Sequence, residues 1–131
     1  MITHFDSYAP PSFKPNTWFA SHTPAVSVVA SVTQPSPGPG KRLVVTGFTV
    51  TIGGGTTAPA ATTVIASLRS GSVELWTAKL GAPATAASIS GVARSGYWPG
   101  GVDLPVKLLF SGTATNVEQS VSMEGYEEDV T

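Results

Sequence analysis

Apolar and hydroxyl-bearing residues alternate along most of this chain, and the alternation has the period of two that marks half-buried strands. Val26, Val28, Ala30 and Val32 interleave with Ser27, Ser31 and Thr33. The Pro/Gly-rich stretch from Gln34 to Gly40 then reads as a loop, because proline cannot donate to a strand ladder. Arg42 to Ile52 is the strongest strand signal, with Val44, Phe48, Val50 and Ile52 on one face, Thr46 among them, and Thr49 and Thr51 on the other. Gly53, Gly54 and Gly55 break it, as a loop needing positive φ would. Thr62 to Arg69 alternates again through Val64, Ala66 and Leu68, and Ser70-Gly71-Ser72 predicts a tight hairpin into Val73 to Leu80. There the faces are ambiguous, since Val73 and Leu75 compete with Trp76, Ala78 and Leu80 for the core. Thr85 to Ala93 is a weak strand through Ala87, Ile89 and Gly91, and Ser95 to Asp103 a Gly/Pro-rich loop. Pro105 to Phe110 turns Val106, Leu108 and Phe110 inward. Asn116 to Tyr126 is the last strand, with Val117, Val121 and Met123 opposed to Glu118, Ser120, Ser122 and Glu124.

About seven short strands with frequent turn signals, and no sustained helical period, predict an all-β antiparallel sandwich. Periodicity alone leaves jelly-roll and simpler Greek-key connectivity open. The expected division is an N-terminal arm over 1–24, a sandwich over 25–126 and an acidic tail over 127–131 that frays.

The first 24 residues show no clean period. They carry Pro10, Pro11, Pro15 and Pro24, but also Phe5, Tyr8, Phe13, Trp18 and Phe19. A solvated linker is poor in aromatics, so the segment is expected to dock. It either folds back on its own domain or extends as an arm whose five aromatic residues pack on a neighbouring subunit, with disorder as the third alternative.

Composition narrows the function. Over 131 residues the net charge is −1 and charged residues make up only 11%. Nucleic-acid binding by a basic stripe is excluded as a function class, and so is a polybasic membrane anchor. Cysteine is absent, which removes disulfide scaffolds, thiolate zinc sites and cysteine nucleophiles. No apolar run reaches the roughly 18 residues of a membrane span, and the N-terminus lacks the pattern of a signal peptide. A β surface this poor in charge is weakly defended against association, which hints at burial in an assembly.

Candidate chemistry is sparse. His4, Asp6 and His22 are too few and too scattered for a metal site, and Glu124, Glu127, Glu128 and Asp129 lack the spaced loop of a calcium site. There is no Gly-x-Ser-x-Gly elbow, and both histidines precede the first strand. Gly53-Gly54-Gly55 lacks the lysine and helix of a phosphate cradle. Tyr97 and Trp98 are the one feature of binding interest, because exposed aromatics in a loop can stack on a sugar face or enter a partner. The opposing expectation is that the pair packs over the end of the sandwich.

Several segments in order carry a resemblance: Arg42-Leu-Val-Val-Thr-Gly-Phe-Thr-Val-Thr51, Gly55-Thr-Thr-Ala-Pro59, Leu75-Trp-Thr-Ala-Lys-Leu80, Ile89-Ser-Gly-Val-Ala-Arg94, Leu108-Leu-Phe-Ser111 and Glu118-Gln-Ser-Val-Ser-Met-Glu-Gly-Tyr126. Over roughly residues 25 to 126 the chain resembles small virion structural proteins of tailed bacteriophages. The Pro-rich arm and the short turn at Ser70-Gly71-Ser72 depart from that pattern. The resemblance implies a non-enzymatic virion component without cofactors. Within that class it points to a capsid decoration, or cement, protein on the outer shell. Its partners would be the major capsid protein and, in a homotrimer, its own copies. The alternative is a tail or tail-fibre component with a receptor- or carbohydrate-binding head that uses Tyr97 and Trp98 as its platform. A β-sandwich enzyme is a third class, for which the sequence offers no convergent polar site.

Overall fold

The computed structural model describes residues 16–130. They form an all-β sandwich of eight strands: β1 (Thr17–His22), β2 (Ser31–Gln34), β3 (Lys41–Gly54), β4 (Thr63–Ser70), β5 (Val73–Gly81), β6 (Ile89–Pro99), β7 (Val106–Phe110) and β8 (Val117–Asp129). One sheet has the order β1-β8-β3-β6 and the other β2-β7-β4-β5, and every pairing is antiparallel. The first strand pairs with the eighth, the second with the seventh, the third with the sixth and the fourth with the fifth. That is a long hairpin rolled once into two layers, the strand order of a jelly roll. Only the β4–β5 hairpin stays within a sheet. Every other connection crosses the sandwich.

The eighth strand relative to expectation is β1, drawn from residues assigned to the arm. Thr17–His22 pairs along its whole length with Tyr126 to Val121 of β8. Trp18 and Ala20 point inward against the core, so two apolar side chains at alternate positions supply the face that anchors this edge strand. Among the described residues the sandwich therefore includes Thr17–His22. It also ends later than expected. Glu127, Glu128 and Asp129 continue β8 opposite Leu43, Arg42 and Lys41, and the acidic run is held by ion pairs from Arg42 to Glu128 and from Lys41 to Asp129.

The core lies between the sheets. Leu43, Val45, Phe48, Val50 and Ile52 of β3 and Val117, Val121 and Met123 of β8 meet Ala66 and Leu68 of β4, Leu80 of β5 and Val106, Leu108 and Phe110 of β7. On β3 the inward set changes from odd to even numbers. The cause is a β-bulge between Val45 and Gly47, where Thr46 is an extra residue against β8. The expected common face of Val44, Phe48, Val50 and Ile52 is thus broken. Val44 lies on the outer face, opposite Tyr126 and Pro99, and is still fully buried there. On β5 the ambiguity resolves toward Trp76, Ala78 and Leu80, which pack on the core, with Leu75 half-buried and Val73 exposed.

Two other expectations shift. Val26 and Val28 are exposed residues of the β1–β2 connection, and only Ser31–Gln34 forms a strand. Ser27 takes a left-handed conformation, its N–H donating to the Val117 carbonyl while its Oγ accepts from the Asn116 N–H. These bonds to the start of β8 replace the ladder that alternation predicted. Gly53, Gly54 and Gly55 do not adopt positive φ, which among glycines is confined to Gly38, Gly40 and Gly71. They are needed for close approach. A Cβ at Gly53 would meet the Ser88 carbonyl, at Gly54 the Pro59 ring, and at Gly55 the Glu118 carboxylate.

Candidate functional site

The sheet β1-β8-β3-β6 turns one face to the core and one outward. Alternation sets what stands on the outer face. Phe19 of β1, Ser122 and Glu124 of β8, Gly47 and Thr49 of β3, and Ala93 and Ser95 of β6 occupy facing register positions. Together with Phe48, Met123 and Arg94, which share one register row and alternate to the other face, they line an open depression of about 310 Å³. Its floor is made of small side chains because Gly47 lies beneath the Glu124 carboxylate, where a Cβ would stand 3.4 Å from Oε2. Phe19 rises at one rim, 66% exposed. The Arg94 guanidinium donates only to the Ala93 carbonyl, and among the described residues neither Arg94 nor Glu124 enters an ion pair.

Farther along the same face a second cluster ties three strands together. Arg42 of β3 donates from Nε (2.8 Å) and Nη2 to Oε2 of Glu128 on β8, and also from Nη2 to the Tyr97 hydroxyl of β6 at 3.2 Å. The Glu128 bond raises the Arg42 pKa above its ordinary value. The neighbouring Tyr126 phenol is also pushed up, first by burial and then by the Glu128 charge. This cluster is a strap across the sheet. Its charges are satisfied internally, so it offers little to a ligand.

The sequence-predicted site residues scatter over the molecule. Tyr97 and Trp98 lie on β6 rather than in a loop, so their side chains take opposite faces. Tyr97 is outward and 54% exposed, bonded to Arg42, while Trp98 packs inward edge-to-face on Phe48. The two do not form one exposed platform. Trp18 and Phe19 divide in the same way, Trp18 against the core and Phe19 on the outer rim. Phe5, Tyr8 and Phe13, like His4 and Asp6, lie outside the described residues. His22 is engaged locally, its Nδ1 accepting from the Ser31 N–H at 3.1 Å. Among the described residues no group of three or more His, Cys, Asp or Glu side chains could hold a metal ion, and no helix is long and apolar enough to cross a membrane.

Sequence reasoning missed the depression itself. Its polar members, Thr49, Ser95, Ser122 and Glu124, carry no sequence signal that sets them apart from other hydroxyl-bearing or charged residues. Only the register of four strands, three of them far apart in sequence, assembles them. Gln119 was missed too. It is 2% exposed, its Oε1 accepting from the Ala30 N–H at 2.9 Å and its Nε2 donating to the Gly112 carbonyl at 2.7 Å. It stitches two connections into the core, and a lone polar residue at an inward position of an alternating strand was the signal that could have found it.

The chain matches no family model and no curated protein. Among solved structures it is similar to dimeric latent PorU from Porphyromonas gingivalis, with TM-score 0.45 and 12% identity over 88% of this chain. The chain spans 13% of that protein's length. A second similar structure, described as "CBM4 structure and function", has TM-score 0.34 and 11% identity, with 85% of this chain and 70% of that one covered. Likenesses this distant carry no functional argument.

Proposed function

We infer that this chain is a non-enzymatic structural component of a tailed-bacteriophage virion, a capsid decoration protein. In this reading it binds the outer surface of the shell as a homotrimer and stabilises contacts between capsid subunits. The observation that carries the reading is the set of large apolar side chains left outside a closed, weakly charged sandwich. Phe19, Val73, Ile89 and Tyr97 are each more than half exposed, and few charges stand between such residues and a partner. The resemblance of the sequence to tailed-phage virion proteins supplies the setting, a shell with many equivalent sites on which weak contacts sum. The tail-fibre alternative relied on Tyr97 and Trp98 as a paired platform, and the position of Trp98 beneath Phe48 disfavours it.

Co-sedimentation of the purified full chain with shells lacking their decorating protein tests the reading. Saturable binding at about 10 μM or below is expected. No binding at that concentration overturns it. The contribution of Phe5, Tyr8 and Phe13 is tested by removing residues 1–15 and no more, because removal through Thr23 would also take away β1. The shortened chain should stay folded and bind shells at least about tenfold more weakly. Unchanged binding would remove these three residues from the partner surface.

A further inference from the structure

The charges on the two outer faces of the sandwich are segregated by sign. Alternation in the register puts Glu118 and Glu124 of β8 on the outer face of β1-β8-β3-β6. It puts Lys107 of β7 and Lys79 of β5 on the outer face of β2-β7-β4-β5. All four residues are exposed, and among the described residues none of them enters an ion pair. The other charges on these faces are paired within the chain, Arg42 with Glu128 on the first and Arg69 with Glu74 on the second. Arg94 belongs to the inward row of β6, opposite Phe48.

Each glutamate borders a hollow. Glu124 borders the depression of about 310 Å³, and Glu118 borders another of about 210 Å³ beside Thr23 and Pro24. The two glutamates are six residues apart on one strand, about 20 Å. The two lysines are separated by two strand spacings and four residues, about 16 Å. Flexible four-carbon lysine stems can take up the difference. Between the lysines the surface carries Ile65, Leu109 and Ser67.

Sign and spacing together select the partner. Two copies meeting through the same face would set glutamate against glutamate or lysine against lysine, which opposes contact. The complement of the acidic face is the basic face of the same chain.

We propose that the outer face of β1-β8-β3-β6 in one copy receives the outer face of β2-β7-β4-β5 in a second copy, the two lysines entering the hollows beside Glu118 and Glu124. The contact is heterologous. The two faces lie on opposite sides of one sandwich, so the contact repeats along a row instead of closing into a ring. It is therefore distinct from the trimer contact of the shell reading, and it holds or fails in solution with no shell present.

Sedimentation equilibrium of the full chain tests the proposal. In about 20 mM salt the mean mass should rise continuously between about 10 μM and about 1 mM, and about 500 mM salt should suppress the rise. Glu118→Gln combined with Glu124→Gln should abolish the rise, and so should Lys79→Gln combined with Lys107→Gln. Each double variant keeps one intact face, so an equal mixture of the two should associate again, in pairs that do not grow. Circular dichroism matching the parent shows that both variants are folded. A mass that stays constant at low salt overturns the proposal, and a fixed trimer would do so while leaving the shell reading standing. A rise that either double variant retains, or a mixture that stays as its components, also overturns it.

Discussion

Phe48 and Trp98 meet edge to face across β3 and β6, their ring centroids 5.0 Å apart and their planes at 65°. Trp76 also packs on Phe48, ring centroids 4.7 Å apart, so one phenyl ring joins tryptophans from both sheets. Phe48→Ala removes the shared partner of both rings and leaves a cavity between the layers. It should cost about 3–5 kcal/mol in urea unfolding. A loss below about 1 kcal/mol would show that the ring does not join the two layers.

Gly125 faces a tighter constraint. A Cβ there would overlap the Val44 carbonyl and stand 2.7 Å from Cζ2 of Trp18. The obstacle is partly backbone, which cannot rotate away, so Gly125→Ala should destabilise by more than about 3 kcal/mol. Gly112→Ala, which meets no atom within 4 Å, should stay within about 0.5 kcal/mol of the parent. Chemical denaturation of the two variants side by side checks the contrast.

Gln119→Leu keeps the volume but removes both hydrogen-bonding ends. The buried Ala30 N–H then loses its partner, at a cost of about 1–3 kcal/mol. Faster hydrogen exchange at Ala30, with little change at the Leu68 amide, is the expected signature. Uniformly faster exchange would mean global destabilisation instead of a local stitch.

The strap from Arg42 to Glu128 should matter less than its bonds suggest. Both side chains remain in contact with solvent, and solvated ion pairs add little to stability. Glu128→Gln should therefore leave the urea midpoint nearly unchanged, with any effect smaller at high salt. A large drop in the midpoint would place the strap among the main supports of the sheet.

Tyr126 gives a pH dependence with a definite sign. Its phenol is pushed above the ordinary value of 10.0 by burial and by Glu128. The unfolded chain therefore releases this proton first, at about pH 10. The stabilisation is fully present below that pH and declines as pH rises toward the folded-state pKa. Stability measured from pH 8 to 11 should fall at the alkaline end, and Tyr126→Phe should remove part of that fall. An identical alkaline decline in the variant would contradict the assignment.

The fold class was legible because alternation is a local signal. Val106, Leu108 and Phe110 predicted β7 and its inward face, and Ser70-Gly71-Ser72 predicted the β4–β5 hairpin. What failed were features set by other strands. The bulge at Thr46 leaves no mark in a run of Val, Thr and Gly, so Val44 was placed on the wrong face. Trp98 belonged to a strand because β3 pairs with Gly/Pro-containing β6, a tertiary effect that local composition opposed. The pairing of Thr17–His22 with β8 joins residues about a hundred positions apart. Nothing near Pro15 or Pro24 announces it. The outer depression was illegible for the same reason, since its members are neighbours only across strands.

Cryo-electron microscopy of shells incubated with the full chain is the most direct test of the central claim. The account predicts sandwich-sized density on the outer surface at three-fold positions, three copies to a cluster, each touching more than one capsid subunit. Bare shells, or density confined to the tail, would contradict it.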